Sequence, residues 1–164
     1  IPLEQEICHV RSYLDIQKMR YGDRLDYQIR IPEELKKLYT EKLLIQPLAE
    51  NSIYHGIKES DRKGTILITA GEEPGGVYLC VRDDGLGISQ ETLTILNADL
   101  KRGVTVSDGG YGIFNVNERI RLYFGRDYGL ELRSCTGEWT EAVIHLPKYI
   151  PERTEWDVSD FDRR

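Results

Sequence analysis

Apolar residues recur at helical spacing from Leu3 to Tyr21. Ile7, Val10, Leu14 and Met19 alternate with charged positions, and Gly22 follows where a helix-ending glycine belongs. Leu25-Asp26-Tyr27-Gln28-Ile29-Arg30-Ile31 then switches to period two, the pattern of a half-buried strand, and Pro32 stops it. Residues 33–44 are helical in composition. Pro47 suits the first turn of a further helix running through Glu50 and Asn51 to His55, with Ile45, Leu48, Ala49, Ser52 and Ile53 on its core side and Gly56 at its end. Strands over 65–70 and 77–81 flank the turn-rich segment 71–76. Ser89 can cap a short helix reaching about Leu96. The polar stretch 97–110 has few apolar anchors and is expected to be mobile. A helix over 113–124 carries Ile113, Val116, Ile120 and Tyr123 on one side and ends at Gly125. Strands over 129–134 and 141–146 flank the Thr136-Gly137 turn.

Adjacent strands joined by tight turns predict antiparallel hairpins rather than repeated βαβ crossovers. The fold expected is an α/β (α+β) two-layer sandwich, with a mixed, mostly antiparallel sheet and helices on one face. At 164 residues, 40% apolar and 30% charged, the chain fits one well-buried core. Carboxylates outnumber bases by 28 to 22, which argues against a nucleic-acid or anionic-membrane surface. Cys8, Cys80 and Cys135 form no C-x-x-C pair, so neither a disulfide framework nor a zinc site is expected, and a reducing compartment is. No apolar run approaches the roughly 18 residues of a membrane span. The start at Ile1-Pro2, without Met, is expected of a piece of a larger protein.

Three short stretches carry candidate chemistry. Asp83 stands where the strand of Val77, Leu79 and Val81 leaves the core, and a carboxylate there needs a donor such as an adenine amine. Gly85 and Gly87 behind it would let a flat base and sugar approach the backbone, although Asp-Asp-Gly is also turn chemistry by itself. Gly110-Tyr111-Gly112 feeds a helix N-terminus, a seat for phosphates to which Asn115 could add an amide. Between the two, residues 88–110 are well placed to form a lid. Asn51 and His55 are spaced i, i+4 on one helix face beside Glu50. Asn51 offers a neutral oxygen suited to Mg²⁺, Glu50 a base, and His55 a phosphate contact. Each stretch read singly is also compatible with a turn, a linker or a solvated helix face.

In this order and spacing the three resemble the GHKL superfamily of ATP-binding domains, and within it the LytS-like sensor histidine kinases. Gln46-Pro47-Leu48-Ala49-Glu50-Asn51-Ser52-Ile53-Tyr54-His55-Gly56 resembles that group's asparagine box. Asp83-Asp84-Gly85-Leu86-Gly87-Ile88 resembles its first glycine box, and the run from Gly110 through Asn115 to Ile120 its second. Pro2-Leu3-Glu4-Gln5-Glu6, Tyr13-Leu14 and Met19-Arg20-Tyr21 are similar to the helix that leads into the catalytic domain. The resemblance covers residues 1–147.

It implies a Bergerat-type ATP-binding fold. Asn51 would coordinate Mg²⁺, Asp83 would bind adenine, Gly85 and Gly87 would line base and sugar, and Gly110 and Gly112 would flank the phosphates. Glu50 would assist phosphoryl transfer, and Thr140 matches a late threonine on the adenine side. Residues 1–22 would end a dimerisation or linker helix, 23–148 would form the catalytic domain, and 149–164 a polar tail. The resemblance also implies a homodimer through an upstream hairpin, a response regulator as partner, and a cytoplasmic domain of a membrane-anchored sensor.

Two departures stand out. Trp139 occupies a position where the group carries glycine before Thr140, which could bear on the pocket, and Asp84 replaces an asparagine. No phosphoacceptor context surrounds a histidine: His9 reads as a helix-surface residue and His145 as a solvent-side strand residue. The expected function is therefore a kinase catalytic domain that cannot phosphorylate itself. An anti-sigma or serine kinase of the same superfamily, or a degenerate nucleotide-binding regulator, are the alternatives.

Overall fold

The computed structural model describes residues 1–104 and 112–150. Gly110 and Tyr111, the rest of segment 105–111, and the tail from 151 onward lie outside the described residues. The elements are α1 (Leu3–Tyr21), β1 (Leu25–Arg30), α2 (Ile45–Asn51), β2 (Gly64–Glu73), β3 (Gly76–Asp83), α3 (Gln90–Arg102), α4 (Gly112–Phe124), β4 (Gly129–Cys135) and β5 (Trp139–Leu146). The strands form one sheet in the order β1-β2-β3-β5-β4. β1 runs parallel to β2, and the other pairs are antiparallel.

The sheet buries one face under the helices. Ile66 and Ile68 of β2, Leu79 and Val81 of β3, Leu132 of β4, and Ala142 and Ile144 of β5 alternate inward. They meet Val10 and Leu14 of α1, Leu48 and Ala49 of α2, and Val116 and Ile120 of α4. The opposite face carries Arg82, Glu141, Arg133 and His145. The two-layer, mostly antiparallel architecture expected from the hairpins is the one observed.

Four local expectations change. Residues 33–44 form a 3₁₀ turn over Glu33–Lys37 followed by irregular chain, because Leu35 and Leu38 are buried there singly rather than along a helical stripe. The helix begun at Ser89, whose hydroxyl accepts from the Thr92 amide, runs on to Arg102. Its second half is anchored by buried Leu100 and by Asn97, whose side chain pairs with both the N–H and the C=O of Leu132 at 2.9 and 2.8 Å. The mobile stretch expected from residue 97 therefore does not begin before the end of α3. Met19 and Tyr123 point outward, at 82% and 67% exposure, since the core stripes of α1 and α4 end at Leu14 and Ile120. Gly56 does not end its helix: α2 continues as a π-helical turn over Ser52–Ile57.

Buried side chains of Glu6 and Asn117 tie distant segments together. The Glu6 carboxylate, fully buried on α1, accepts from the amides of Leu43 and Ile45, both at 2.9 Å, and so caps the start of α2 from another helix. Asn117 donates to the Leu100 carbonyl and accepts from the Leu130 amide, both at 2.9 Å, joining α3, α4 and β4. Asn117→Ala would strand a buried carbonyl and a buried N–H, so it should cost about 2 to 3 kcal/mol in urea unfolding; an unchanged midpoint would refute that role.

Both ends of the described chain bond to the segment 38–40. Leu3 donates to Leu38 at 2.7 Å, and Tyr39 donates to the Tyr149 carbonyl at 2.9 Å. His9 is exposed. His145 is half-buried on the open sheet face, where its Nδ1 lies 2.8 Å from Glu73 and its Nε2 3.4 Å from Glu131. The three cysteines are free.

Candidate functional site

β3 delivers Asp83 to the end of the sheet directly opposite Thr140 of β5. Both side chains face the helices, and Asp83 is only 3% exposed. Its Oδ1 accepts from the Gly85 amide at 3.0 Å, and the Ser52 hydroxyl also hydrogen-bonds the carboxylate. Burial nevertheless dominates and pushes its pKa up to about 6. A carboxylate held in this way still favours a further donor that would neutralise it.

The glycines around Asp83 have steric reasons. A Cβ on Gly56 would lie 2.5 Å from Asp83 Oδ1, and one on Gly85 would lie 2.3 Å from the Gly56 carbonyl oxygen. The π turn thus brings its backbone against the Asp83 loop. Gly87 has φ +70°, and a Cβ there would lie 2.3 Å from the Cys135 carbonyl oxygen. The Leu86 carbonyl accepts from the Gly137 amide at 2.6 Å, which locks the loop onto the β4–β5 turn. Asp84 turns away and accepts from the Thr65 amide at 2.7 Å.

Above Asp83 lies a cavity of about 370 Å³. Leu96, Ile113, Leu132 and Ile88 supply apolar walls, while Asp83, Thr140, Asn51 and His55 supply the polar groups. An apolar slot with a few fixed polar groups suits a flat, partly polar ligand. Thr140 is oriented by Ser134, whose Oγ lies 3.2 Å from its hydroxyl. Trp139 points to the other face of the sheet, with the Arg82 guanidinium 4.4 Å from its ring centroid, and does not line the cavity.

Asn51 and His55 also border a second, more open groove of about 620 Å³. Its other walls come from Tyr13, Gln17 and Arg20 of α1, from Glu50, Tyr54 and Lys58 around the π turn, and from Gly112 at the start of α4. Glu50 is exposed and accepts from Gln46 Nε2 at 2.9 Å. Burial, with Glu50 nearby, pushes the Tyr13 hydroxyl up to about 12. Lys58 sits 4.8 Å over the Tyr54 ring.

The structure therefore brings Asn51, His55, Asp83, Gly87 and Thr140 around one cavity, with Gly85 beneath it, and places Glu50 and Gly112 in the adjoining groove. Asn115 is exposed in the first turn of α4 and lies on neither wall. Sequence reasoning missed Lys58, although it falls seven positions after Asn51 and so on the same helical face. It also missed Ser52 as a partner of Asp83 and the α1 side chains as a wall, for which no local pattern gives a signal.

The sequence profile of the family described as histidine kinase-, DNA gyrase B-, and HSP90-like ATPase matches residues 40–150. The chain belongs to this ATPase family. Among characterised proteins it is 31% identical over 156 residues to the sensor protein LytS of Bacillus anthracis, covering 94% of this chain and 26% of that protein. It is 35% identical over 147 residues to the sensor histidine kinase YesM of Bacillus subtilis, covering 90% and 24%. The chain thus spans about a quarter of the length of these relatives. The fold matches the catalytic domain of the histidine kinase ThkA, with a TM-score of 0.65 and 16% identity over 90% of this chain and 93% of that one. ThkA has also been solved in complex with the response regulator protein TrrA, where the match has a TM-score of 0.62 and 16% identity over 93% of this chain and 42% of that one. Among the described residues of this ATPase domain, no helix is long and apolar enough to cross a membrane.

Proposed function

We propose that this chain is the ATP-binding catalytic domain of a sensor histidine kinase, acting on a histidine that lies outside it. The observation that carries the reading is the buried Asp83 carboxylate at the closed end of an apolar cavity whose open side is bordered by Asn51 and His55. Adenine fits the closed end, its amine donating to Asp83 and its faces against Ile113, Leu96 and Leu132. Thr140 adds a hydroxyl beside the base. Gly87 borders the cavity and packs there against the Cys135 carbonyl as no residue with a side chain could.

Asn51 is the residue suited to Mg²⁺. Among the described residues, no cluster of three carboxylate, imidazole or thiol groups could hold a metal. A single neutral oxygen fits an ion that takes its other ligands from water and phosphates. When bound, Mg²⁺ would neutralise phosphate charge. Glu50, exposed in the groove beside Asn51, is in position to orient or deprotonate an incoming imidazole, and His55, Lys58 and Gly112 to hold phosphates. Positioning and charge neutralisation, rather than covalent chemistry, would supply most of the acceleration.

A response regulator as partner, dimerisation and a membrane anchor through segments outside this chain, and a cytoplasmic site of action complete the reading. The ThkA–TrrA complex, whose kinase has a similar fold, supports the first of these, and the others rest on the resemblance of the sequence motifs.

Calorimetric titration with ATP, with and without Mg²⁺, tests the site. Wild type should bind Mg·ATP more tightly than metal-free ATP, and Asn51→Ala should remove most of that difference, roughly tenfold or more in affinity. Wild-type protein that binds no ATP in either condition would sink the reading.

A further inference from the structure

The cavity over Asp83 and the groove beside it are continuous at Asn51 and His55, which line both. Among the described residues, a nucleotide whose base sits on Asp83 has a path for its phosphates past these two side chains and into the groove. The far wall of that groove lies outside the elements that line the cavity over Asp83. It is α1, which turns Tyr13, Gln17, Arg20 and Tyr21 toward Glu50, Tyr54 and Lys58. We propose that α1 completes the nucleotide site: the Arg20 guanidinium, flanked by the Tyr13 hydroxyl and the Gln17 amide, receives the terminal phosphate of ATP. The proposal rests on the ATP-binding reading above and adds to it the helix that supplies the contact and the phosphate it serves.

The chemistry of the groove favours a phosphate in this place. Arg20 of α1 and Lys58 after the π turn are both cations that line the groove, as His55 does too. The one carboxylate among the lining residues, Glu50, accepts from the neutral Gln46 amide and is outnumbered by the two cations. Arg20 is exposed, with its guanidinium 5.7 Å from the Tyr21 ring centroid, so it can swing onto a ligand. A guanidinium presents paired N–H donors that match two phosphate oxygens at once. Tyr13 is held protonated far above neutral pH and remains a donor. Lys18, two residues before Arg20, is committed to Asp26 at 2.8 Å and provides a matched charge outside the groove.

The consequence is selectivity by phosphate number. ATP reaches α1, whereas ADP and adenosine stop short of it. Titration of this chain with Mg·ATP, Mg·ADP and adenosine reads this directly. Arg20→Gln should weaken ATP about tenfold while changing ADP and adenosine less than about twofold. Arg20→Lys should recover part of the loss, and Lys18→Gln should leave all three affinities unchanged. Because Arg20 is exposed, the variant should keep the wild-type melting temperature. ATP affinity within twofold of wild type in Arg20→Gln, or an equal fall for ATP and ADP, would overturn the assignment of Arg20. Failure of the wild type to bind adenosine, ADP or ATP would overturn the ATP-binding reading itself.

Discussion

Replacing Asp83 by asparagine should move stability and nucleotide affinity in opposite directions. In the free protein the buried carboxyl titrates near pH 6, well above its ordinary value of 3.8, because burial penalises the charged form. The folded state therefore holds this proton more firmly than the unfolded chain. Stability falls as pH rises from about 4 to about 6 and stays reduced above that. Asparagine has nearly the same shape and no charge to bury, and its oxygen can keep the bond from Gly85. At pH 8 the variant should be more stable than wild type by about 1 to 2 kcal/mol, a few degrees in melting temperature. Its amide, however, would face the adenine amine with a donor, so ATP affinity should drop roughly 30-fold or more. Wild-type affinity should itself decline as pH falls through about 6. Thermal melts from pH 4 to pH 8, paired with titrations, check all three signs. A destabilised variant that still binds ATP would show that Asp83 serves the fold rather than the nucleotide.

The second large effect is expected at Glu6. This carboxylate is fully buried yet meets no cation among its hydrogen-bond partners; it accepts from the amides of Leu43 and Ile45. Leu44, the residue preceding α2, makes no side-chain cap, and Leu43 is held at φ 55°. Glu6 thus replaces the local cap that α2 lacks and stabilises a backbone conformation that leucine avoids. Glu6→Ala should cost about 2 to 3 kcal/mol in equilibrium unfolding, since a buried and a partly buried donor lose their partner at once. Glu6→Gln should cost about half as much, because one oxygen remains to accept. A loss below about 0.5 kcal/mol for the alanine variant would mean that water replaces the carboxylate without penalty. ATP affinity should weaken together with stability, as Asn51 stands on the same short helix.

Much of this was legible in the sequence because the signals are local. The period-two runs of β2 and β3, with Pro74-Gly75 between them, specify a hairpin without reference to anything else. Likewise Ile45, Leu48, Ala49, Ser52 and Ile53 mark a buried helix face, and every one of them is buried or nearly so. The errors come from contacts between distant residues. The length of α3 depends on Asn97 gripping Leu132, and the irregular chain after Lys37 depends on Glu6 and on Arg119, which bonds to Glu41 at 2.8 Å. Gly56 looked like a helix terminus because glycine often is one. Its actual cause is the carboxylate of Asp83, 27 positions further along, pressed against it. Within the candidate site the base end was readable from Asp83 and its glycines. The groove was not, since its far wall comes from α1, whose pattern announces only an amphipathic helix.

The parallel pairing of β1 with β2 has a consequence for the order of assembly. The β2–β3 and β4–β5 hairpins close over short turns and can form early, whereas β1 joins the sheet only after the chain has looped through α2 and the π turn. Strands β2, β3, β5 and β4 already make a complete antiparallel sheet without it. The edge strand β1 is therefore the part of the sheet that can open at less cost than global unfolding, and its amides should exchange with solvent before those of β3 and β5. Helix α1, held by buried Leu3, Ile7, Val10, Leu14 and Glu6, should stay on α2 and keep Tyr13 and Arg20 at the groove. A pull or twist applied to α1 would then be felt through Glu6 at the start of α2, and so at Asn51, which the two ends of the site share.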